Sequence, residues 1–292
     1  MPELPEVETV KRGLNKFIVG RVITSEKHDT EKGFPNAPAD VKNFMIGAKI
    51  RAVRRRAKVL MIDLTTDYTL VIHLKMTGQL VYVAADATRF GAGHPNDSLI
   101  NNLPDKSTRV TITFEDDSHL YFNDQRKFGW MRLMPTVAVP ELPFMQKVGP
   151  EPLESSFTFV EFKQRFARRK NSAIKAALLD QSVIAGVGNI YADEALWSAK
   201  IHPLTRVGDI SDAKMKALYD GVREVMNLSI SLGGSSSRNY VHADGSKGRY
   251  LDFAKVFHRE GTPCPRCGTE IIKTRAAGRG THLCPREQVL GK

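Results

Sequence analysis

The chain opens with the stretch MPELPEVETV, residues 1–10, which predicts the start of an amphipathic helix. Its second proline suits the first turn of a helix, and its glutamates suit the positive end of the helix dipole. Apolar side chains then continue at helical spacing, so the helix is predicted over residues 5–18. A second interpretation stays open. If Met1 is removed, Pro2 becomes a terminal secondary amine, less basic than lysine and able to act as a nucleophile, with Glu3 beside it to move protons.

Outward from this helix, the periodicity changes to the alternation typical of β-strands between residues 21 and 134. The pattern predicts a β-sandwich capped by the first helix, as a domain of residues 1–134. Within it, residues 84–107 are rich in Ala, Gly, Asn, Asp and Pro, and this composition predicts a long, mobile loop. The predicted strands lie at residues 59–62, 70–74, 110–114 and 120–122.

Beyond a proline-marked linker at residues 135–150, the periodicity becomes helical. A second domain is predicted over residues 151–254, ending in a Gly/Ser-rich stretch at 233–248 that is expected to be a flexible loop. Residues 255–292 are turn-rich and contain every cysteine, which predicts a small third domain. The predicted fold class is therefore multidomain α+β. Helical apolar stripes lie at residues 156–170, 172–181, 190–200 and 211–232.

The charge balance points to a polyanionic partner. The 292 residues contain 43 Lys and Arg against 32 Asp and Glu, a formal net charge of +11. No long apolar run or signal peptide accompanies this excess, so nucleic acid is favoured over a membrane and a cytoplasmic location is expected. The three cysteines lie close together in the chain, which favours a local metal site over disulfide bonds.

These cysteines have nearly the spacing of a zinc ribbon. Cys264 and Cys267 are separated by two residues, and Cys284 follows after sixteen more, which allows tetrahedral coordination across a hairpin. Glu287 stands where a fourth cysteine would complete the ribbon, and His282 is the alternative ligand, because both residue types bind zinc. A hairpin held by packing without metal is also open.

A glycine turn at residues 186–189 joins two predicted helices and has the features of a phosphate site. Such a turn exposes backbone N–H groups at the positive end of the next helix, and Asn189 adds a side-chain donor. The basic run 168–170 and Lys175 add positive charge near the same junction. The two interpretations are a helix–two-turn–helix phosphate clamp and an ordinary tight turn.

Two positions in the strand-rich part are open to a functional or a structural interpretation. Lys58 shares a strand face with the apolar Leu60, so it either reaches the surface along that face or is held in a site. Arg126 and Phe128 follow a predicted strand. An exposed aromatic side chain beside arginine can wedge into a base stack, but Phe128 fits a core equally well.

Taken in order along the chain, these motifs resemble those of the formamidopyrimidine-DNA glycosylases. The resemblance covers essentially the whole chain. It implies a bifunctional DNA repair enzyme that flips out and excises oxidised purines, chiefly 8-oxoguanine and formamidopyrimidines, and then nicks the strand. The implied partner is double-stranded DNA containing oxidised bases or abasic sites, bound by a monomer with one zinc per chain. The matching stretches are PELPEVET at 2–9, RRAK at 55–58, HLKMTG at 73–78, RKFG at 126–129, VGPEPL at 148–153, the turn at 186–192 and the terminal ribbon.

The resemblance also implies catalytic roles. Pro2 attacks C1′ of the damaged nucleoside and forms a Schiff base, and Glu3 assists ring opening as an acid or base. Lys58 donates a proton during β-elimination. Arg279, near the tip of the ribbon hairpin, grips the phosphate at the lesion and serves δ-elimination. Glu6 is assigned to lesion recognition.

For DNA contacts, the resemblance implies two groups of residues. Met76, Arg126 and Phe128 fill the gap left by the everted nucleotide, as base flipping requires. Lys170, Lys175 and Asn189 contact DNA from the helical domain, and the stretch 233–248 closes over the flipped base.

The chain also departs from the family pattern. Glu287 replaces the fourth zinc cysteine, Ser107 stands where the family has a DNA-contacting histidine, and the 84–107 segment is longer than usual. Two rival functions remain: a Nei-like glycosylase for oxidised pyrimidines, whose opening usually has Gly in place of Leu4, and a non-catalytic zinc-ribbon DNA-binding protein.

Overall fold

The computed structural model describes residues 2–94, 96–235 and 248–291, so most of the predicted loop at 233–248 lies outside the described residues. The helices are α1 (Leu4–Phe17), α2 (Pro38–Asp40), α3 (Pro143–Lys147), α4 (Phe159–Ala167), α5 (Ile174–Leu179), α6 (Asn189–Ser198), α7 (Asp212–Ser231) and α8 (Tyr250–Phe253). The strands are β1 (Ile23–His28), β2 (Ile50–Arg56), β3 (Val59–Leu64), β4 (Tyr68–His73), β5 (Gly78–Val83), β6 (Arg89–Gly93), β7 (Thr108–Phe114), β8 (His119–Asp124), β9 (Trp130–Pro135), β10 (Ile272–Ala276) and β11 (Arg279–Leu283).

The described residues form two compact units. The first contains the residues up to Gln146 and the described part of Leu232–Arg249, and we call it the sandwich unit. The second contains Lys147–Ser231 and the described residues from Tyr250 onward, and we call it the helical unit. Among the described helices, none combines the length and the apolar character needed to cross a membrane.

Helix α1 begins with a first turn fixed by two glutamates. Glu3 is the N-cap, and its side chain accepts the backbone N–H of Glu6. In return, Glu6 Oε2 accepts the backbone N–H of Glu3 at 2.8 Å, which completes a capping box. On the inner face of the helix, Val7, Val10 and Leu14 are fully buried, as the apolar periodicity predicts.

Two antiparallel sheets form the sandwich. The larger has the strand order β1-β7-β8-β5-β6, and the smaller has the order β2-β3-β4-β9. One core joins their inner faces to α1; it includes Leu60 and Ile72 from the smaller sheet and Leu80 and Val110 from the larger, all fully buried. The expected α+β fold is confirmed, and the predicted strands correspond to β3, β4, β7 and β8.

The expectation of one mobile loop at residues 84–107 is wrong, because part of this segment is a strand. Strand β6 pairs antiparallel with β5 and packs on α1. The Phe90 ring lies so close over Gly13 that an added Cβ there would come within 1.9 Å of it, and the ring stacks on Phe17 at 5.7 Å. Contact with α1 therefore stabilises a five-residue strand that is too short and glycine-rich to produce a clear local pattern.

The proline-marked stretch after the sandwich contains regular structure. Residues Thr136–Glu141 form a 3-10 helix, and α3 follows. Val139 and Leu142 from this stretch are buried on the outer face of the smaller sheet, in a second core. The sheet residues of that core are Val59, Met61 and Val71.

In the helical unit, the four predicted helices correspond to α4, α5, α6 and α7. Helix α6 is buried along Tyr191–Trp197 because α5, α7 and β11 all pack against it. Strands β10 and β11 form the ribbon hairpin, and its two turn residues, Ala277 and Gly278, have φ of 52° and 71°. Two left-handed residues are what a tight type I′ hairpin turn requires.

Candidate active site and metal centre

The predicted nucleophile lies at the N-terminal end of α1. Pro2 is buried, and Glu3 is 3 % exposed. Lys58 lies in the tight turn between β2 and β3, after Ala57, whose φ of 51° is in the left-handed region. Lys58 is only 8 % exposed, so most of its side chain is buried.

A neutral histidine lies beside Lys58 in the sandwich unit. His73 pairs in register with Val59 at the end of β4. Burial, together with the charges of Lys75 and Lys58, lowers the pKa of His73 to about 3. Its Nδ1 accepts the backbone N–H of Lys75 at 3.0 Å, so the ring proton is on Nε2. In the sequence, His73 is only the first letter of the motif at residues 73–78, because a single sequence gives no signal for its burial.

Glu6 links the start of α1 to the start of the Gly/Ser-rich stretch. Its Oε1 accepts both the backbone N–H and the hydroxyl of Ser235, each at 2.8 Å, while Oε2 holds the backbone N–H of Glu3. The residue predicted for lesion recognition is thus in contact with Ser235, which belongs to the first residues of the 233–248 stretch predicted to close over the base.

A buried carboxylate, Asp124, organises the loop that carries Arg126 and Phe128. Asp124 is fully buried at the end of β8. Its Oδ2 accepts the backbone N–H groups of Phe128 at 2.8 Å and of Gly129 at 2.7 Å. Its Oδ1 accepts the backbone N–H of Arg126 at 3.2 Å. The carboxylate therefore fixes the main chain of the loop through the loop's own backbone donors.

The same carboxylate brings Met76 to this loop. The Thr77 hydroxyl donates to Asp124 Oδ1 and also accepts the backbone N–H of Arg126 at 3.1 Å. Met76 precedes Thr77 in the chain, so the three predicted gap-filling residues lie at one end of the larger sheet. The sequence pattern alone does not identify Asp124 and Thr77 as the residues that join them, because the two are far apart in the chain.

Phe128 is exposed, so its core interpretation is wrong. Its side chain is 46 % exposed, and the Arg126 guanidinium lies 4.9 Å from the ring centroid. The Lys32 ammonium lies 5.8 Å from the same centroid. An exposed aromatic ring flanked by two cations on a fixed loop can stack on a base while the cations meet phosphate.

Ser107, in the position of the family histidine, is buried within its own segment. It is 3 % exposed, its hydroxyl donates to Asp105 Oδ1 at 2.7 Å, and it lies 2.9 Å from the Ser98 hydroxyl. Ser107 is therefore placed to stabilise the segment before β7 and does not supply an exposed side chain for DNA.

In the helical unit, Lys170 and Asn189 lie on different elements. Lys170 is exposed just after α4. Asn189 is the first residue of α6, after the N-cap Gly188. The amide of Asn189 donates to the carbonyl oxygen of Gly280 at 3.0 Å, so it ties the start of α6 to the ribbon hairpin.

Lys175 is fully buried, so the prediction that it contacts DNA is wrong. It has no exposed surface, and its ammonium pairs with Asp193 Oδ1 at 2.6 Å. It also donates to the Thr281 hydroxyl at 2.7 Å. Asp193 Oδ2 in turn accepts the backbone N–H of His282 at 2.9 Å. Lys175 cannot contact DNA from this position; it holds β11 against α5 and α6.

Arg279 is exposed as the first residue of β11, directly after the hairpin turn. It pairs in register with Ala276, and the next two residues along β11 are Gly280 and Thr281. Because those two residues are held by Asn189 and Lys175, the arginine projects from a backbone that is fixed on one side.

The three cysteines form a cluster that fits a zinc ion. Their sulfur atoms lie within 4.8 Å of one another, and the Sγ atoms of Cys267 and Cys284 are 3.5 Å apart. Thiolates bound at ~2.3 Å to a tetrahedral zinc lie about 3.8 Å apart, so only a small adjustment is needed.

The pKa values of two of these thiols are shifted in opposite directions. Burial opposes ionisation of Cys264, but hydrogen bonds from the backbone of Arg266, the Trp197 side chain and the backbone of Cys267 outweigh it and lower its pKa to about 7. Burial, with the neighbouring thiols, raises the pKa of Cys284 to about 11. A metal ion would allow all three sulfurs to be thiolates together.

Neither candidate for the fourth ligand belongs to this cluster among the described residues. Glu287 Oε2 lies 2.9 Å from the Lys200 ammonium. The ring nitrogens of His282 face carboxylates, with Nδ1 3.4 Å from Asp193 and Nε2 3.1 Å from Glu260.

The combination of a helix-capped sandwich, a helical unit with a glycine turn and a cysteine hairpin defines a class of protein, the zinc-finger DNA glycosylases. Residues 1–131 match the family described as formamidopyrimidine-DNA glycosylase N-terminal domain. Residues 148–241 match its H2TH domain, and residues 261–286 match the zinc finger found in FPG and IleRS.

Whole proteins match over their full length. A formamidopyrimidine-DNA glycosylase of Roseiflexus sp. (strain RS-1) is 40% identical over 287 residues, which are 98% of this chain and 98% of the relative. A crystal structure of a Lactococcus lactis FPG point mutant with Fapy-dG-containing DNA has a TM-score of 0.86 at 36% identity, covering 99% of this chain and 100% of that one. The Lactococcus lactis Fpg with abasic-site DNA has the same TM-score and identity, covering 98% of this chain and 99% of that one.

The chain belongs to the formamidopyrimidine-DNA glycosylase family. It is accordingly a DNA-binding repair enzyme, a DNA glycosylase with lyase activity at abasic sites.

Proposed function

We propose that this protein, acting as a monomer in the cytoplasm, excises oxidised purines from double-stranded DNA and then cleaves the strand by β- and δ-elimination. Support comes from the family and from the two solved relatives, which are complexes with Fapy-dG DNA and with abasic-site DNA. The observation that carries the proposal is the burial of Pro2 directly before the capped first turn of α1, where the carboxylate of Glu6 fixes the adjoining backbone of Glu3.

In the first step, the lone pair of the Pro2 nitrogen attacks C1′ and the bond from C1′ to the base breaks. The base leaves with the electron pair of the broken bond between C1′ and the base, and it takes up a proton from solvent. Glu3 takes up the proton that the Pro2 nitrogen loses after it bonds to C1′ and passes it to the sugar ring oxygen as the ring opens, which leaves a positively charged Schiff base between Pro2 and C1′. A terminal amine suits this step because it is free of its proton more readily than a lysine side chain at neutral pH.

In the later steps, loss of a proton from C2′ expels the 3′ phosphate, and a second elimination expels the 5′ phosphate. Lys58 serves the proton transfers, and Arg279 neutralises the phosphate at the lesion. The neutral state of His73 favours this role for Lys58, because a charged imidazole beside the lysine would add a competing positive charge.

For access to the base, we propose that Met76, Arg126 and Phe128 occupy the gap that the flipped nucleotide leaves. Two observations support this proposal. Asp124 bonds to both Thr77 and the backbone of Phe128, and the Phe128 ring is exposed. Glu6, which holds Ser235 at the start of the Gly/Ser-rich stretch, would contact the flipped base. Lys170 and Arg279 would contact the phosphate backbone, and Asn189 would present the start of α6 to it.

The test is reductive trapping with borohydride on duplexes that contain either 8-oxoguanine or an oxidised pyrimidine. We expect a covalent adduct that forms preferentially with 8-oxoguanine and whose mass corresponds to a chain lacking Met1. The control variant is Pro5→Ala, which changes a nearby proline that has no part in the chemistry. It should form the same adduct as the wild type. Absence of an adduct with both duplexes would overturn the enzymatic proposal, and preference for the pyrimidine would favour a Nei-like specificity.

We also propose that the cysteine cluster binds one zinc ion per chain, through the thiolates of Cys264, Cys267 and Cys284. The ion would fasten the hairpin strands that carry Arg279. Elemental analysis of the purified protein should find about one zinc per chain, consistent with one such site. A metal-free protein that still binds DNA normally would show that the hairpin is held by packing alone.

A further inference from the structure

The carboxylate in the sequence position of the fourth zinc ligand has partners other than the cysteine cluster. We propose that Glu287 does not bind the metal, and that Lys200 and Arg266 hold it so that the zinc keeps one coordination position for an exchangeable solvent molecule. This inference rests on the proposed zinc site and concerns how that site is completed.

Lys200 holds Glu287 from the end of α6. The Lys200 ammonium lies 2.9 Å from Glu287 Oε2. Lys200 has a φ of 56°, just after the C-cap Ala199, a conformation at helix ends that normally favours glycine. A lysine at this strained position supplies a cation directly beside the carboxylate.

Arg266 approaches the same carboxylate oxygen from within the cysteine motif. Its guanidinium stacks on the Trp197 ring at 3.7 Å and donates to the carbonyl oxygens of Trp197 at 2.7 Å and Ser198 at 3.0 Å. These bonds place Arg266 Nη1 3.8 Å from Glu287 Oε2. Arg266 is thus held by the C-terminal end of α6, where the helix dipole favours a cation, independently of Glu287.

The charge balance explains why a neutral ligand would complete the site. Three thiolates and Zn²⁺ already carry a net negative charge, and a carboxylate ligand would increase it. Glu287 is neutralised where it lies by two cations, so moving it to the metal would break those contacts. Zinc sites with three protein ligands commonly keep water in the fourth position. The other candidate, His282, lies outside the sulfur cluster among the described residues, with its ring nitrogens 3.4 Å from an Asp193 oxygen and 3.1 Å from a Glu260 oxygen.

The experiment compares zinc affinity in full-length wild type, Glu287→Gln and Glu287→Cys, by competition with a colorimetric chelator. We expect Glu287→Gln to bind zinc as wild type does, because it removes a charge and no ligand. Glu287→Cys should bind at least about tenfold more tightly, because a fourth thiolate replaces solvent. Glu260→Gln is the matched control, since it removes another ribbon carboxylate with partners outside the cluster. It should bind zinc as the wild type does.

Cobalt substitution gives a second readout that does not depend on activity. The thiolate-to-cobalt charge-transfer band of wild type and Glu287→Gln should coincide, whereas that of Glu287→Cys should gain the intensity of one more thiolate. Lys200→Met tests the restraint itself: freeing the carboxylate should let it reach the metal and tighten zinc binding, and the double variant Lys200→Met with Glu287→Gln should lose this gain.

The outcomes separate this inference from the zinc site on which it rests. If wild type binds zinc and Glu287→Gln weakens binding by about tenfold or more, the carboxylate is a ligand and the inference is overturned. If Glu287→Cys binds no more tightly and adds no charge-transfer intensity, no position is open and the inference fails likewise. A wild type that binds no zinc overturns the zinc site and the inference together.

Discussion

Two buried carboxylates, one in each unit, position candidate DNA-contacting residues, but they are neutralised in different ways. Asp124 of the sandwich unit accepts main-chain N–H groups and the Thr77 hydroxyl, and it fixes the loop of Arg126 and Phe128. Asp193 of the helical unit pairs with the Lys175 ammonium, and it fixes the strand of Arg279. A carboxylate held by several backbone donors depends on no single side chain, whereas one held by lysine depends on that lysine.

The largest expected effect comes from removing Lys175. In Lys175→Met, Asp193 keeps its charge in a fully buried place without its ammonium partner, which costs about 3–5 kcal/mol of unfolding free energy. Urea denaturation of the zinc-loaded protein measures this loss. The same substitution at the exposed Lys170 should change the free energy by less than about 0.5 kcal/mol.

The double variant Lys175→Met with Asp193→Leu sharpens this test. It removes both charges, so we expect most of the lost stability to return. If Lys175→Met were as stable as Lys170→Met, the ion pair would not be what holds β11 against α5 and α6.

The corresponding change in the sandwich unit is Asp124→Asn. An amide presents an N–H₂ group where the carboxylate accepted two backbone N–H groups, so we expect a loss of about 1–3 kcal/mol. Affinity for abasic-site DNA should fall too, because the loop of Arg126 and Phe128 loses its frame. Asp67→Asn, at a side chain 82% exposed, is the control. Unchanged stability and affinity in Asp124→Asn would contradict the claim that Asp124 fixes the loop of Arg126 and Phe128.

The buried neutral His73 of the sandwich unit should make the stability of the protein depend on pH. The pKa of His73 falls from an ordinary 6.5 to about 3 in the folded protein, so between these values only the unfolded chain binds the proton. Stability should therefore fall as the pH decreases through this window, by up to about 1.4 kcal/mol per pH unit. In His73→Gln this part of the dependence should vanish. Equal pH slopes for wild type and His73→Gln would contradict the assignment.

The smallest effect on stability is expected at Phe128. Because its ring is exposed, Phe128→Ala should change the unfolding free energy by less than about 0.5 kcal/mol. Loss of a stacking partner should nevertheless weaken binding to abasic-site DNA by about 1–3 kcal/mol. Phe253→Ala, at a ring 39 % exposed, should leave affinity unchanged. Equal affinities of the two variants would exclude Phe128 from the interface.

Sequence reasoning succeeded where the pattern is local. The apolar spacing of α1 and the alternation of β3 and β4 predict those elements because burial repeats with the backbone period. Cysteine spacing likewise predicts the sulfur cluster. The fold class and the family can be predicted from the order of such motifs along the chain.

It failed where distant residues decide the outcome. Strand β6 depends on Gly13 of α1, which lies nearly eighty residues earlier in the sequence. The family resemblance implies that Lys175 contacts DNA, and nothing in the sequence near Lys175 shows that it is buried against Asp193. Asp124 and Thr77 were missed because their role arises only when β5 and β8 pair.

The central claim is that the amine of Pro2 is the nucleophile of this glycosylase, and it is tested most directly by mapping the borohydride-trapped adduct by mass spectrometry. We expect the N-terminal peptide, lacking Met1, to carry the sugar remnant on Pro2. A remnant on a lysine such as Lys58, or retention of Met1 in the active enzyme, would contradict the claim.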